Sequence, residues 1–517
     1  MTIPWTMIAL IPPGTLALVG LLSFIQPGPR PRWVGPAVSA ASWLGPPIAL
    51  TLATLVSLQE TIVSPLLGAQ ELGASVRLDS LSVLIFSMVA LLAVIVIRFS
   101  RTYLDGDGRQ GAFLGQLGLT IAAVEVLVIS GNLLLFLAAW VATSLCLHQL
   151  LVFYRDRPGA VVAARKKFIA ARIGDASIIA AGALLYDCFG TGDLGTLFAR
   201  AATAEADVRV EIATLLLACA ALFKSAQFPT HGWLVEVMET PTPVSALLHA
   251  GILNAGPFLV LRFASLMELG TYSAILLVVV GGFTALFASV VLLTQPTIKV
   301  ALGYSSAAHM GFMLLVCGLG VYPAAVLHLV AHSFYKAHAF LSSGSVVDVA
   351  RSKRLALPNR RRNPFRVLAS LLLAGGIYMG LAILLGFTPA EDPSLMAVGA
   401  ILVMGLAQLL APALDSAGTT AAMLRTTGLA VGVGLAFFSL EEGARLLLLS
   451  SLPEATEPST TVIGLACLVL VAFGAAILLQ IVGLNRRSRL SQVGYVHLRN
   501  GLYANAYFDR LVGALRN

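Results

Sequence analysis

The chain has 517 residues, of which 58% are hydrophobic and only 11% charged, with a formal net charge of +8. Soluble domains carry about 25% charged residues, so composition excludes a water-soluble fold, and apolar runs recurring at about 20 residues predict an all-α polytopic membrane protein. The short alternating segments of a membrane β-barrel are missing, and the basic residues are placed as orientation signals, with no nucleic acid partner implied.

About 15 spans of membrane-crossing length follow one another, with cores at 8–25, 34–57, 80–97, 112–129, 133–153, 168–187, 211–228, 244–266, 272–293, 299–318, 324–347, 367–387, 395–413, 420–440 and 461–483. The first has no basic segment before it and reads as a retained helix, not a cleaved signal. The segments after spans 1, 3, 5 and 11, together with the tail, hold 23 of the 33 Lys and Arg residues; those after spans 2, 6 and 14 hold four. The positive-inside rule then places the N-terminus outside a bacterial cytoplasmic membrane and the tail in the cytoplasm. The basic segment Arg351–Arg366 serves topology, with contact to anionic membrane lipid or to an acidic partner as the alternative. The tail, 485–517, reads as an interfacial or docking segment. The five cysteines lack metal spacing and read as small packing residues.

Five cations fall within apolar stretches: Lys224, Arg262, Lys299, Lys336 and Arg425. A charge at bilayer depth costs at least about 2.5–3.5 kcal/mol and is normally tied to transport. Lys224 precedes three prolines, Pro229, Pro241 and Pro243, which are expected to interrupt the helix nearby, and His249 follows as a proton-relay partner. Glu236 and Glu239 lie near the break, as counter-charges for Lys224 or as part of a solvated turn. His328, His332 and Lys336 are spaced i, i+4, i+8, one face of one helix, a titratable ladder about 12 Å long. Lys299 opens the preceding span and either feeds the ladder or snorkels to the surface. Glu125 sits far from any loop and is expected to be a proton site or the counter-ion of Lys224. Asp175 and Arg172 form an i, i+3 pair of structural type. No nucleotide, metal or nucleophile signature appears, so neither a cofactor nor a catalytic site is expected in this chain.

The stretch KSAQFPTHGWLVEVMETPTPVSALLHAGILNAGPFLVLR (Lys224–Arg262) resembles the signature of the antiporter-like membrane subunits of respiratory complex I and of multisubunit cation/proton antiporters. TIKVALGYSSAAHMGFM (Thr297–Met313), HLVAHSFYKAHAFLSSGSVV (His328–Val347) and RIGDAS (Arg172–Ser177) resemble further blocks of that family. The resemblance implies two inverted five-helix repeats with discontinuous helices. It divides the chain into N-terminal helices (1–111), repeats at 112–267 and 268–413, C-terminal helices (414–484) and the tail. It also implies a proton path over Lys224, His249, Lys299, His328, His332 and Lys336, with Asp175 as a family acid. Two departures stand out. Val141 follows Trp140 where the family has Glu, and no lysine follows Lys353 to serve a second discontinuous helix. Glu125 lies within about 6 Å of the depth of position 141 by helical rise and is expected to substitute.

The ending HLRNGLYANAYFDRLVGALRN, with METPTPVSALLHAG, most resembles the membrane subunit of the two-component DAB inorganic-carbon accumulation system. That resemblance implies H+ or Na+ coupling to CO2 or bicarbonate accumulation. It also implies a large cytoplasmic partner similar to a zinc β-carbonic anhydrase, with the zinc in the partner. The alternatives are a proton-translocating subunit of NADH:quinone oxidoreductase and a subunit of a Na+/H+ antiporter.

Overall fold

The computed structural model describes residues 5–204, 207–345, 364–387, 393–415, 420–453, 458–482 and 489–514. Helices α1 (Ile11–Leu22), α2 (Val34–Gln59), α3 (Ser80–Tyr103), α4 (Gln110–Ile129) and α5 (Leu133–Leu151) are followed by α6 (Pro158–Phe189) and the short α7 (Leu194–Ala201). The middle of the chain forms α8 (Val208–Lys224), α9 (Gly232–Glu236), α10 (Thr242–Ala250), α11 (Ala255–Arg262), α12 (Thr271–Leu292), α13 (Ile298–Gly318) and α14 (Tyr322–Leu341). Then come α15 (Pro364–Leu384), α16 (Pro393–Asp415), α17 (Thr420–Leu448), α18 (Thr460–Val482), α19 (Arg489–Arg499) and α20 (Ala504–Ala514).

Twelve helical stretches among the described residues are long and apolar enough to cross a membrane. The expected spans at 211–228, 324–347 and 367–387 fall on α8, α14 and α15, which lie outside that set. α8 has only 17 residues, and the His and Lys residues of α14 dilute its apolar character. Most of the basic segment that starts at Arg351 lies outside the described residues.

One expectation is corrected, and one element is new. α6 begins at Pro158, ten residues before the expected span, so Lys166 and Lys167 leave the basic loop and are buried helical residues. The α2–α3 connection is not plain loop. It folds as β1 (Ile62–Val63) paired with β4 (Arg77–Leu78) around the hairpin β2 (Leu67–Ala69) and β3 (Leu72–Ala74). Gln70 and Glu71 at the hairpin tip both take positive φ, the primed-turn geometry for which neither residue is the usual signal.

Helices α1–α14 share one apolar core, while α15–α17 pack around smaller clusters centred on Ala374, Leu406 and Leu410 and on Tyr378, Leu381 and Phe438. Without a hydrophobic drive between helices in lipid, close approach depends on small residues. α12 and α13 meet in this way: a Cβ on Gly281 would lie 2.7 Å from the carbonyl oxygen of Gly311, and one on Gly311 2.6 Å from that of Gly281.

The interruptions that position the site lie between α8 and α11. α8 ends at Lys224, and Pro229 falls in the non-helical link to α9. Pro241 and Pro243 open α10 instead of breaking it: one is its N-cap and the other stands in its first turn, where a missing N–H leaves no bond unmade. Gly251 separates α10 from the single turn Ile252–Asn254 and from α11. The backbone groups freed at these breaks must find partners inside a membrane. Ser225 Oγ donates to the Leu253 carbonyl at 2.9 Å, and Asn254 Nδ2 donates to the Ala250 carbonyl at 2.9 Å.

Candidate functional site

Lys224 is the last residue of α8, at the helix end whose exposed carbonyls favour a cation. Its ammonium donates to Ser144 Oγ (2.9 Å), Thr143 Oγ1 (3.0 Å) and the Trp140 carbonyl (3.2 Å), and sits 4.2 Å from the centre of the Trp140 ring. All these partners belong to α5. No carboxylate lies within ion-pair distance of Lys224 among the described residues, so Glu125 is not its salt-bridge partner. Glu125 is 1% exposed, and its Oε2 has no hydrogen-bond partner. Lys167 reaches the same spot from α6, donating to the Ser144 carbonyl at 2.9 Å. Asp175 acts on both lysines electrostatically. It pairs with Arg172 at 2.5 Å, a contact of charge without hydrogen-bond alignment.

Glu236 does not serve Lys224. It binds Lys166, which is 1% exposed, at 2.6 Å, and accepts from Asn505 of α20. Lys166 also pairs with Asp509 and donates to Asn505 Oδ1 at 3.1 Å. The tail therefore docks on α6 and α9. Gly232 permits the contact, because a Cβ there would overlap Asn505 Oδ1. The Glu239 side chain lies outside the described residues.

The second centre is built by α13 and α14. Lys336 is fully buried and donates to Ser305 Oγ (2.7 Å) and, at 3.4 Å, to the Leu302 carbonyl. One turn below Leu302, Lys299 donates to Thr242 Oγ1 at 3.2 Å, which ties it to the start of α10. His328 and His332 share a face of α14 as expected, their rings 6.1 Å apart. His309 of α13, which sequence reading passed over, completes the group. Its Nδ1 lies 3.0 Å from His328 Nε2, and its ring centre 5.0 Å from that of His332. Both ring nitrogens of His332 are buried without partners. His249 stacks on Phe340 of α14 with ring centres 4.3 Å apart, its two nitrogens likewise unpartnered.

The donor atoms of His309, His328 and His332 lie within 4.8 Å of one another, a spread that small rotations would close around a transition metal. Thiolate and carboxylate are absent from that trio, and Lys336 follows one turn on, so a dication would face a cation in low dielectric. Three imidazoles and an amine suit proton exchange better.

The two centres connect through Asn254, whose Nδ2 donates to Ser333 Oγ at 2.7 Å beside His332. A cavity of about 20 Å³, walled mostly by apolar side chains, lies between Asn254 and Thr143, the residue whose hydroxyl accepts from Lys224. Two of the five intramembrane cations stand apart. Arg262 binds Asp79 through both terminal nitrogens (2.6 and 3.3 Å), and Arg425 is exposed near the start of α17.

Comparison with known proteins settles the lineage. The model of the NADH:quinone oxidoreductase/Mrp antiporter transmembrane family matches residues 130–411. The chain belongs to that family. This antiporter-family chain is 37% identical over 447 residues to a probable inorganic carbon transporter subunit DabB2 of Halothiobacillus neapolitanus, covering 86% of this chain and 81% of that one. It is 41% identical over 286 residues to a probable inorganic carbon transporter subunit DabB of Hydrogenovibrio crunogenus, covering 55% of each chain. To the NADH-quinone oxidoreductase subunit L of Escherichia coli it is 36% identical over 283 residues, covering 54% of this chain and 46% of that one. The chain thus spans four fifths of the first relative and about half of the others. The fold matches a chain of the Mrp complex from Dietzia sp. DQ12-45-1b with a TM-score of 0.62 at 22% identity, over 100% of this chain and 60% of that one.

Proposed function

We propose that the chain is the proton-gradient coupling membrane subunit of an inorganic-carbon accumulation complex. One observation carries the reading. Two buried lysines, Lys224 and Lys336, sit on hydroxyls and carbonyls with no carboxylate in ion-pair range among the described residues. A structural role would call for a paired charge, because an unpaired buried cation costs several kcal/mol. Amines held by neutral partners and followed by imidazoles are proton-exchange groups.

The path in this reading enters at Lys299 on the cytoplasmic face and passes Lys336, His332, His309 and His328. A lateral branch over His249, Ser333 and Asn254 joins it to Lys224, Lys167 and Glu125. Residues 112–267 and 268–413 act as the two antiporter-like repeats, each contributing one of the lysines. Proton movement biases a conformation passed to a cytoplasmic partner of the zinc carbonic-anhydrase type, which hydrates CO2. The inorganic-carbon assignment rests on the DabB2 relative, matched over 447 residues, and on the DabB relative, matched at 41% identity. A proton-translocating quinone oxidoreductase subunit is the second reading, supported by the subunit L relative.

The test is Lys224→Ala in the chain co-expressed with its neighbouring soluble gene product in a host that needs inorganic-carbon uptake to grow in air. The complex is expected to assemble and growth to fail. Full growth rescue by the variant would overturn proton relay through Lys224. Co-purification of quinone oxidoreductase subunits would replace the carbon assignment with the second reading.

A further inference from the structure

α17 carries an acid that the relay described above does not use. Glu441 is 5% exposed, seven residues before the end of a membrane-crossing helix. Its carboxylate accepts from the backbone N–H of Ala324 in the first turn of α14, while its Oε2 has no partner. The next residue behaves differently: Glu442 is on the surface and forms a two-pronged ion pair with Arg445 at 2.7 and 2.8 Å.

Glu441 lines a cavity of about 960 Å³ between α14, α15, α16 and α17, together with Pro323, Phe387, Ser394, Phe438 and Arg445. Two further buried polar atoms, Ser394 Oγ in the cavity wall and the Tyr378 hydroxyl beside Glu441, also lack partners. Buried polar groups are almost always hydrogen-bonded, so two such atoms in one cavity wall, Glu441 Oε2 and Ser394 Oγ, with the Tyr378 hydroxyl close behind, mark a space that water would fill. The cavity lies on the same end of the bundle as Asp79 and Arg262, opposite Lys299. Ala324, which touches Glu441, is one turn before His328 and on the same helix face, about 6 Å along the axis.

We propose that Glu441 is the port through which the relay exchanges protons with water on the face opposite Lys299, with the cavity as its vestibule. The proton passes between His328 and the Glu441 carboxylate through water at the head of α14, and between Glu441 and bulk water through the cavity. This gives the ladder a second end. The inference rests on the proton-coupling reading.

The competing role is a helix cap, and one substitution separates the two. Glu441→Gln keeps an oxygen to accept from Ala324 but cannot carry a proton. The measurement is uptake of labelled inorganic carbon by cells making the full complex, alongside the melting temperature of the purified complex. Glu441→Gln is expected to lose at least tenfold in uptake with an unchanged melting temperature, Glu441→Asp to recover part of the rate, and Glu442→Gln to match the parent chain. Parent-level uptake by Glu441→Gln while Lys224→Ala is inactive would overturn the port and leave the coupling reading standing; parent-level uptake by both would overturn the coupling reading itself. A second measurement does not depend on turnover. In a chain with its five cysteines replaced by serine, Ser394→Cys is expected to react with a membrane-impermeant thiol reagent added outside intact cells. Absence of reaction there would show that the cavity is closed to that side, which also overturns the port.

Discussion

Lys224 and Lys167 meet on a single residue: one donates to the hydroxyl of Ser144 and the other to its carbonyl, both at 2.9 Å. Two cations so placed repel each other, and the repulsion grows as the local dielectric falls. A purely structural design would avoid the pair, whereas a relay uses it, because a proton arriving on one lysine favours its departure from the other. Lys167→Gln is therefore expected to slow proton-driven uptake at least tenfold while the complex still assembles. Uptake at the parent rate would remove Lys167 from the path.

The tail is held by a different lysine. Lys166 lies between Glu236 and Asp509, with Asn505 bridging. Removing the central cation leaves two solvent-accessible carboxylates, Glu236 and Asp509, facing one another with nothing to hold them together, a repulsion that solvent screens. Lys166→Ala is expected to release α19 and α20, read as faster backbone hydrogen exchange across 489–514 with little change in α12 and α13. Equal protection in both proteins would mean that apolar contacts alone dock the tail.

These cases show what the residues reveal before folding. Composition and apolar run length identify the helices because each must satisfy its own backbone hydrogen bonds in lipid. The i, i+4, i+8 spacing of His328, His332 and Lys336 is legible because it lies within one helix. His309 is not, since only the packing of α13 against α14 brings a lone histidine 3.0 Å from another. Lys166 and Lys167 are hidden for a different reason. In a basic run next to a loop, positive charge reads as orientation, and only the early start of α6 carries these residues into the protein. Glu441 is masked by its neighbour, since an EE pair followed by Arg reads as a solvated helix end. The hairpin at 62–78 escapes because its tip, Gln70–Glu71, carries none of the usual turn residues.

Arg262 and Asp79 answer a question that the sequence alone poses badly. An arginine within an apolar span suggests transport, yet its guanidinium grips the carboxylate that caps α3, with Ser82 N–H and Arg77 as further partners. Burial alone would push the Asp79 carboxyl up, but the Arg262 charge and hydrogen bond outweigh it and hold the group well below the usual carboxylate range. A depressed folded-state value makes this stabilisation fully present above the unfolded value of about 4 and progressively lost as pH falls below it. Asp79→Asn is expected to lower the melting temperature of the purified protein at pH 7. The gap to the parent should narrow as the pH is brought below about 4. A gap that does not change with pH would show that packing, and not the ion pair, is what the substitution removes.

The His309–His328 contact is the step at which the path changes helix. His328 and His332 stack 6.1 Å apart along α14, too far for a direct hydrogen bond, while His309 lies within 5.0 Å of both ring centres. His332 hydrogen-bonds to neither ring, but His309 is the nearer neighbour and already bonds to His328, so in the proposed path the proton crosses to α13 and back. His309→Gln keeps a polar side chain of similar reach but no titratable ring, so it preserves a hydrogen bond to His328 while ending exchange through position 309. Uptake is expected to fall at least tenfold, with assembly and melting temperature unchanged. His328→Gln should give a similar loss, and the double variant no more than either alone, because consecutive steps of one route do not add. If His309→Gln keeps the parent rate while His328→Gln loses it, water between His328 and His332 carries the proton and α13 is only a wall.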